Sequence, residues 1–264
     1  MAKVTIGQHC VNLILSLKEH ILKHENNHNN ATNEGKTNDR AWEEETLRLC
    51  NVTLNEINRM KELVKINEGD VERKLFELGI ELFNLTKTNR FSSSIIIGSV
   101  RNISVEILHF SGHDKIEVIK LYLNTGLKYA ESNEHARAYN CYDSAEKLLQ
   151  NYAKQKSTAN ETFSQQLNNL QNEIYYEQAK SLVKLKRDDD AMKCIHSICQ
   201  SVHVQTIPVS MIGDLLTFIL QRGHYYSNIE DENVAIRWYK VCNDIYSVYF
   251  KNGNNNKHLS TTLI

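Results

Sequence analysis

The sequence predicts an all-α fold in which pairs of helices recur along the chain. Three observations carry that expectation. The 264 residues include one proline and ten glycines, too few for the many turns of an all-β fold. Apolar residues recur at three- and four-residue spacing through most of the chain. One order of large and small residues also returns three times from residue 119 onward.

From the N-terminus, Val4, Val11, Ile14, Leu15, Leu17 and Ile21 form one helical stripe, which predicts a helix within residues 1–24. Residues 25–40 are polar and rich in asparagine. They have nothing to bury and read as a flexible linker, in which His28, like the neighbouring His24, is solvated. Trp42, Leu47, Leu49, Val52, Leu54, Ile57, Met60 and Val64 supply the apolar side of a long helix within 41–70. Trp42 is read as part of that buried side, with an exposed binding anchor as the other option.

Helical repeats are expected over 71–250, opening with a helix over 71–86 that carries Leu75, Phe76, Leu78, Leu82 and Phe83. Residues 93–110 are rich in β-branched side chains, among them Ile95, Ile96, Ile97, Val100, Ile103, Val105 and Ile107. Propensity alone would suit a strand. The length of the segment and its helical neighbours predict a buried helix. Residues 251–264 read as a polar tail.

The recurring pattern has a register. A tetratricopeptide repeat of about 34 residues folds as two antiparallel helices. It puts large residues at its fourth, eleventh and twenty-fourth positions and small ones at its eighth, twentieth and twenty-seventh. Small residues let the two helices approach; large ones fill the gaps between neighbours. With Gly126 at the eighth position the series reads Tyr122, Gly126, Tyr129, Ala138, Tyr142, Ala145. With Gly223 there it reads Ile219, Gly223, Tyr226, Ala235, Tyr239, Cys242. A middle series, Tyr175, Ala179, Leu182, Ala191, Ile195, Ile198, matches at its first four positions and loosens at the end. Polar stretches at 153–171 and 204–215 separate the three, so the expected fold is an irregular tetratricopeptide-like helical repeat solenoid. Asp188, Asp189 and Asp190, and likewise Glu230, Asp231 and Glu232, stand where a second helix should begin, and acidic groups favour the N-terminal end of a helix dipole. Ser132 is the corresponding N-cap candidate in the first pair.

Composition narrows function. The formal net charge is −1 and no long basic run occurs, which argues against direct nucleic-acid binding. No apolar run is long enough to predict a membrane span. The six cysteines are scattered through helical patterns, which predicts reduced thiols rather than a disulfide framework. Phosphate-loop, nucleophile-elbow and zinc-protease motifs are missing from the sequence. Cys194, His196, Cys199 and His203 form the nearest metal-like cluster. At most three of the four share a helical stripe, so no metal and no cofactor are expected and the chain is not read as an enzyme. A repeat fold instead offers a groove lined by the first helix of each pair. Lys120, Leu123, Asn124 and Leu127 would face it from the first pair, Tyr176, Lys180 and Lys184 from the second, and Leu220, Gln221, His224 and Asn228 from the third. The second helix of the last pair carries Trp238, Tyr239, Val241, Ile245, Tyr246, Val248 and Tyr249. If no further pair covers it, that surface predicts self-association.

Two stretches resemble a particular family. One begins Leu121-Tyr-Leu-Asn-Thr-Gly-Leu-Lys-Tyr-Ala-Glu and continues Ala136-Arg-Ala-Tyr-Asn-Cys-Tyr-Asp-Ser-Ala. The other begins Gly223-His-Tyr-Tyr-Ser and continues Asn233-Val-Ala-Ile-Arg-Trp-Tyr-Lys-Val-Cys. The run Ala-Ile-Arg-Trp-Tyr around Trp238 is similar to the A-v-x-W-L segment of a family of meiotic scaffolds. That family includes fungal sporulation-specific protein twenty-two, also called zip-four, and mammalian testis-expressed protein eleven. Lys74-Leu-Phe-Glu-Leu-Gly-Ile-Glu-Leu is similar to its L-W-N-x-G-v-x-L segment, departing at Phe76 and Glu77. The resemblance spans about residues 71–250, and family members are much longer. It implies a nuclear scaffold on meiotic chromosomes that bridges recombination and chromosome-axis factors in synapsis and crossover formation, with no catalytic residues. The alternative is a generic tetratricopeptide adaptor or co-chaperone in the cytosol.

Overall fold

A computed structural model describes residues 2–28, 36–63, 69–87, 91, 93–155, 161–200, 207 and 209–251. Among these residues the chain is all-α, with ten α-helices and no strand. They divide into two compact units, residues 1–149 and 150–264.

The first unit begins with α1 (Ala2–His28), α2 (Lys36–Leu63), α3 (Gly69–Leu85) and α4 (Ser94–Phe110). Their inward stripes meet in one core: Cys10, Ile14, Leu17 and Ile21 from α1, Cys50, Ile57 and Met60 from α2, Leu75, Leu78 and Leu82 from α3, and Ile96, Val100, Ile103 and Ile107 from α4. Each set keeps the three-, four- or seven-residue spacing that places side chains on one helical face. The β-branched segment is the helix α4. It packs against α2, α3 and α5 (Lys115–Glu131), so it is buried on several sides at once, and an almost continuous apolar surface is what that setting requires. Two glycines let its neighbours close in. A Cβ on Gly79 would sit 3.2 Å from Ile107 and Leu108, and one on Gly98 would sit 2.9 Å from the ring of Tyr129. Ser104 Oγ donates to Gly79 O at 2.5 Å across the same contact.

Helix α1 runs four residues beyond the expected end, and α2 starts inside the expected linker; residues 29–35, including the rest of that linker, lie outside the described residues. The end of the expected long helix at 64–68, the parts of the two polar stretches at 156–160, 204–206 and Pro208, His203 and the tail at 252–264 lie outside them as well, while the rest of both stretches belongs to α6 (His135–Gln155), α7 (Glu161–Lys184) and α9 (Val209–Asn228) or to Ile207. Trp42 is half-buried against the core. His24 is not a free solvated side chain: its ring stacks on Trp42 with centroids 3.9 Å apart.

Helix α5 turns into α6. The second unit contains α7, α8 (Asp188–Cys199), α9 and α10 (Glu232–Tyr246), followed by a π-helical turn, Ser247–Lys251. Helix α7 packs on α8, and α10 packs on α9 and α8. Ile174, Leu182, Ile195, Leu215, Ile219 and Trp238 are wholly or almost wholly buried there. An aromatic chain runs through this core: Phe218 meets Tyr176 edge-on at 6.2 Å and Trp238 edge-on at 6.1 Å.

Three hairpins, α5–α6, α7–α8 and α9–α10, close with one backbone solution. Asn133, Lys186 and Glu230 have φ of 62°, 60° and 63°. Each lies seven residues after the small residue of its register (Gly126, Ala179 or Gly223). In each turn the next amide reaches back to the large residue at the eleventh position: Glu134 N to Tyr129 O at 2.9 Å, Arg187 N to Leu182 O at 2.8 Å, Asp231 N to Tyr226 O at 3.0 Å. These bonds cap the carbonyls left open at a helix C-terminus. Ser132 is therefore not an N-cap. It is the C-cap of α5, with Oγ donating to Tyr129 O at 2.9 Å. Asp231 does cap α10, accepting from Val234 N at 3.3 Å, and the three aspartates open α8.

The large side chains of α10 are not a bare surface. Trp238, Val241 and Ile245 are buried and Tyr249 nearly so, with its hydroxyl donating to Ile207 O at 3.0 Å. Of the residues expected to form an apolar patch, Tyr246 is exposed while Tyr239 and Val248 are half-buried. The argument for self-association through that patch fails because α8, α9 and the π-helical turn supply the cover.

Candidate functional site

Within the first unit, α2, α4, α5 and α6 enclose a polar cleft of about 200 Å³. Sequence reasoning passed over it. From α2 come Cys50, Asn51, Leu54 and Asn58; α4 contributes Ser99, Asn102 and Glu106; α5 contributes Tyr129; and α6 contributes Arg137, Asn140, Cys141 and Ser144. In α2, α4 and α6 these residues keep the three- and four-residue spacing of one helical face. Cys50 and Cys141 are buried, whereas Asn51, Asn58 and Asn140 are exposed.

The cleft has two distinct ends. At one, Tyr129 donates to Ser99 Oγ at 3.4 Å and the Arg137 guanidinium lies 5.8 Å over the Tyr129 ring. Arg137 is only loosely held by Glu134, at 3.7 Å, with both groups well exposed. At the other end Glu106 pairs with Lys61. Burial pulls the Lys61 ammonium down to about 8. Between the ends, Cys141 Sγ lies 3.9 Å from Asn102 Oδ1. Burial pushes the Cys50 and Cys141 thiols up to about 12, so neither is poised as a nucleophile. The side chains of Asn51, Asn58 and Asn140 make no hydrogen bond among the described residues. The signal in the sequence was Asn51 and Asn58, two helical turns apart on the polar side of an amphipathic helix.

The repeat-register residues fall into two settings. Tyr122, Gly126, Tyr129, Ala138, Tyr142 and Ala145 are all buried. A Cβ on Gly126 would press into the ring of Tyr142, 2.7 Å from Cδ1 and 2.8 Å from Cζ. In the second unit Ala179, Leu182, Ala191, Ile219, Gly223 and Ala235 are buried, while Tyr175, Tyr226, Tyr239 and Cys242 are half-buried. A Cβ on Gly223 would meet Tyr239 Cε1 at 2.6 Å.

The residues assigned to a groove are dispersed in character. Lys120 and Asn124 are exposed, Leu127 is half-buried and Leu123 is buried. Lys120 pairs with Glu117 at 2.8 Å. Tyr176 belongs to the aromatic chain, its hydroxyl pushed up to about 12 by burial, with Lys180 Nζ 4.9 Å over its ring. Lys180 also pairs with Glu177 at 2.8 Å, and Lys184 is exposed. Leu220 is half-buried; Gln221 and Asn228 are exposed; His224 Nδ1 lies 3.1 Å from the Tyr239 hydroxyl.

A second polar group in that unit joins three helices. Arg222 of α9 grips Asp188 with two bonds, of 2.8 and 3.1 Å, and the Tyr226 hydroxyl donates to the same carboxylate at 2.8 Å. Arg237 of α10 pairs with Asp189. The Arg222–Asp188 pair is mostly shielded, with side chains 18% and 12% exposed. Its partners are satisfied among themselves, so it reads as a clamp on the α8 N-terminus. Cys194 Sγ lies 3.7 Å from Gln178 Oε1 and Cys199 donates to Ile195 O. Among the described residues no three His, Cys, Asp or Glu side chains gather closely enough to hold a metal ion. None of the described helices is long and apolar enough to cross a membrane.

Against known proteins, the chain matches no family model, no curated protein and no solved structure.

Proposed function

We propose that this chain is a protein-interaction scaffold built as an irregular tetratricopeptide-like solenoid, and that it works in meiotic chromosome synapsis and crossover formation. The observation that supports the scaffold reading best is the shared hairpin turn. Three helix pairs reuse one left-handed residue at a fixed distance from a small packing residue. Units of that kind bury their faces by stacking on one another and leave extended surfaces for partners. The meiotic placement comes from the segments around Gly126 and Trp238. Its partners would be recombination and chromosome-axis proteins, and its location the nucleus.

A tagged full-length protein should form foci on meiotic chromosomes, and its deletion should lower crossover number. Normal crossovers after deletion, with expression confined to non-meiotic cells, would sink the meiotic placement. One observation favours the generic adaptor as a second reading. The residues that carry the resemblance, Gly126, Tyr142, Gly223 and Trp238, all serve helix packing. Any stack of helix hairpins would select for such residues.

A further inference from the structure

We infer that the polar cleft of the first unit grips a short extended peptide segment by its backbone, with an acidic side chain of that segment placed at Arg137. The inference rests on the scaffold reading for the class of partner and on the cleft alone for its chemistry. A carboxamide carries both a donor and an acceptor, as a peptide group does. Asn51 and Asn58 stand seven residues apart on α2, a rise of about 10.5 Å. An extended chain covers that distance in about three residues. Leu54 lies between them in the lining, where it offers an apolar seat for one side chain. Asn140 on α6 and Asn102 on α4 supply two further carboxamides.

At the exposed Asn51, Asn58 and Asn140, folding asks only that the side chain be polar. Asparagine is a poor interior helix residue, because its amide competes for backbone groups. Asn51, Asn58 and Asn140 make no side-chain bond in return among the described residues. Charge sets the direction. Glu106 is already neutralised by Lys61, whereas Arg137 is held only loosely and rests on an aromatic face. A single arginine among amides and hydroxyls is a weak basis for nucleic acid, which needs many cationic contacts. It suits one carboxylate.

The test uses the full chain, labelled with ¹⁵N and titrated with acetyl-Ala-Ala-Asp-Ala-Ala-amide and, separately, with its Lys-centred counterpart. The Asp peptide should shift the side-chain NH₂ resonances of Asn51, Asn58, Asn102 and Asn140 and bind more tightly than the Lys peptide. The Asn51→Ala/Asn140→Ala pair should weaken it by about tenfold or more, the scale of one or two lost hydrogen bonds. Arg137→Gln should erase the preference for Asp over Lys. These positions are exposed or half-buried, and Trp42 fluorescence verifies folding of each variant. No shift at the four amides, or equal affinity in the double variant, would overturn the inference. That result together with crossovers lost on deletion leaves the scaffold reading standing; binding as described with normal crossovers leaves the cleft standing and removes the meiotic placement.

Discussion

The hairpins α5–α6 and α9–α10 use the same pair of residues to different ends. In both, a glycine at the eighth register position faces a tyrosine at the twenty-fourth. In the first unit Tyr142 is completely buried, and the ring has nowhere to retreat. In the second, Tyr239 is half-exposed and its hydroxyl meets His224 on an exposed edge. The same sequence signal therefore marks a rigid core contact in one place and a yielding rim contact in the other. Close approach of two helices demands the glycine; how much depends on it is set by what surrounds the tyrosine.

Gly126→Leu should show the difference most strongly. With no free volume around Tyr142 it should cost about 3 kcal/mol or more, whereas Gly223→Leu should cost about half as much because Tyr239 can swing outward. The two tryptophans fall one in each unit, Trp42 and Trp238. Denaturant unfolding followed in Trp238→Phe and Trp42→Phe backgrounds therefore reads each unit separately. Equal losses in the two units would dissolve the comparison.

Alkaline pH should strain the first unit next. Its thiols Cys50 and Cys141 ionise at 9.0 when free but hold their protons to about 12 in the fold. Between those values the folded state binds more protons, so the stability they supply is whole below pH 9 and drains away as pH rises toward 12. Lys61 acts oppositely, since its folded value of about 8 lies below 10.5; over that interval its contribution grows with pH. Stability read at Trp42 should hold or rise slightly from pH 8 to 9 and then fall, each of the two thiols costing up to about 1.4 kcal/mol per pH unit and Lys61 offsetting one of them up to its free value of 10.5. Cys141→Ala should flatten the fall, and an unchanged slope would count against burial as its cause.

In the second unit, Asp188→Ala should cost about 2 kcal/mol, because it strands the mostly shielded Arg222 and the Tyr226 hydroxyl. Removing the solvent-facing Lys147–Asp143 pair of the first unit should leave its stability essentially unchanged. Between the two in size is an expected gain. Lys186→Gly and Glu230→Gly should each stabilise by up to about 1 kcal/mol, since a side chain there is strained at positive φ. Asn133→Gly should be close to neutral, as asparagine tolerates that conformation. Thermal melts that rank Asn133 first would contradict the shared-turn account.

Much of the helical layout was legible because burial leaves a period. Ile14, Leu17 and Ile21, or Leu75, Leu78 and Leu82, announce their faces directly. The β-branched α4 was legible only through its length and neighbours, since its residues suit a strand as well. Helix ends were less so. Residues 25–28 and 36–40 looked like linker because a polar helix end and a polar loop share a composition. Ser132 looked like an N-cap because nothing in its type tells which side of a turn it occupies. The cover over Trp238 was invisible because no spacing within α10 shows which faces of α8 and α9 pack against it. The cleft was missed for a related reason: its asparagines converge from three helices, and only the Asn51–Asn58 spacing lies within one.

The recurrent turn also governs where the chain can change length. From Gly126 to Tyr142 and from Gly223 to Tyr239 the count is the same, because the left-handed residue and its backbone bond fix how the second helix returns beside the first. One residue added or removed inside a hairpin would rotate every later side chain of α6 or α10 by about 100° and carry the tyrosine away from its glycine. The segments joining one hairpin to the next have no such ruler, and they already differ in length. Insertions and deletions among homologous sequences should therefore cluster in the joints after α6 and α8, while the hairpins keep a constant count even where their residues drift.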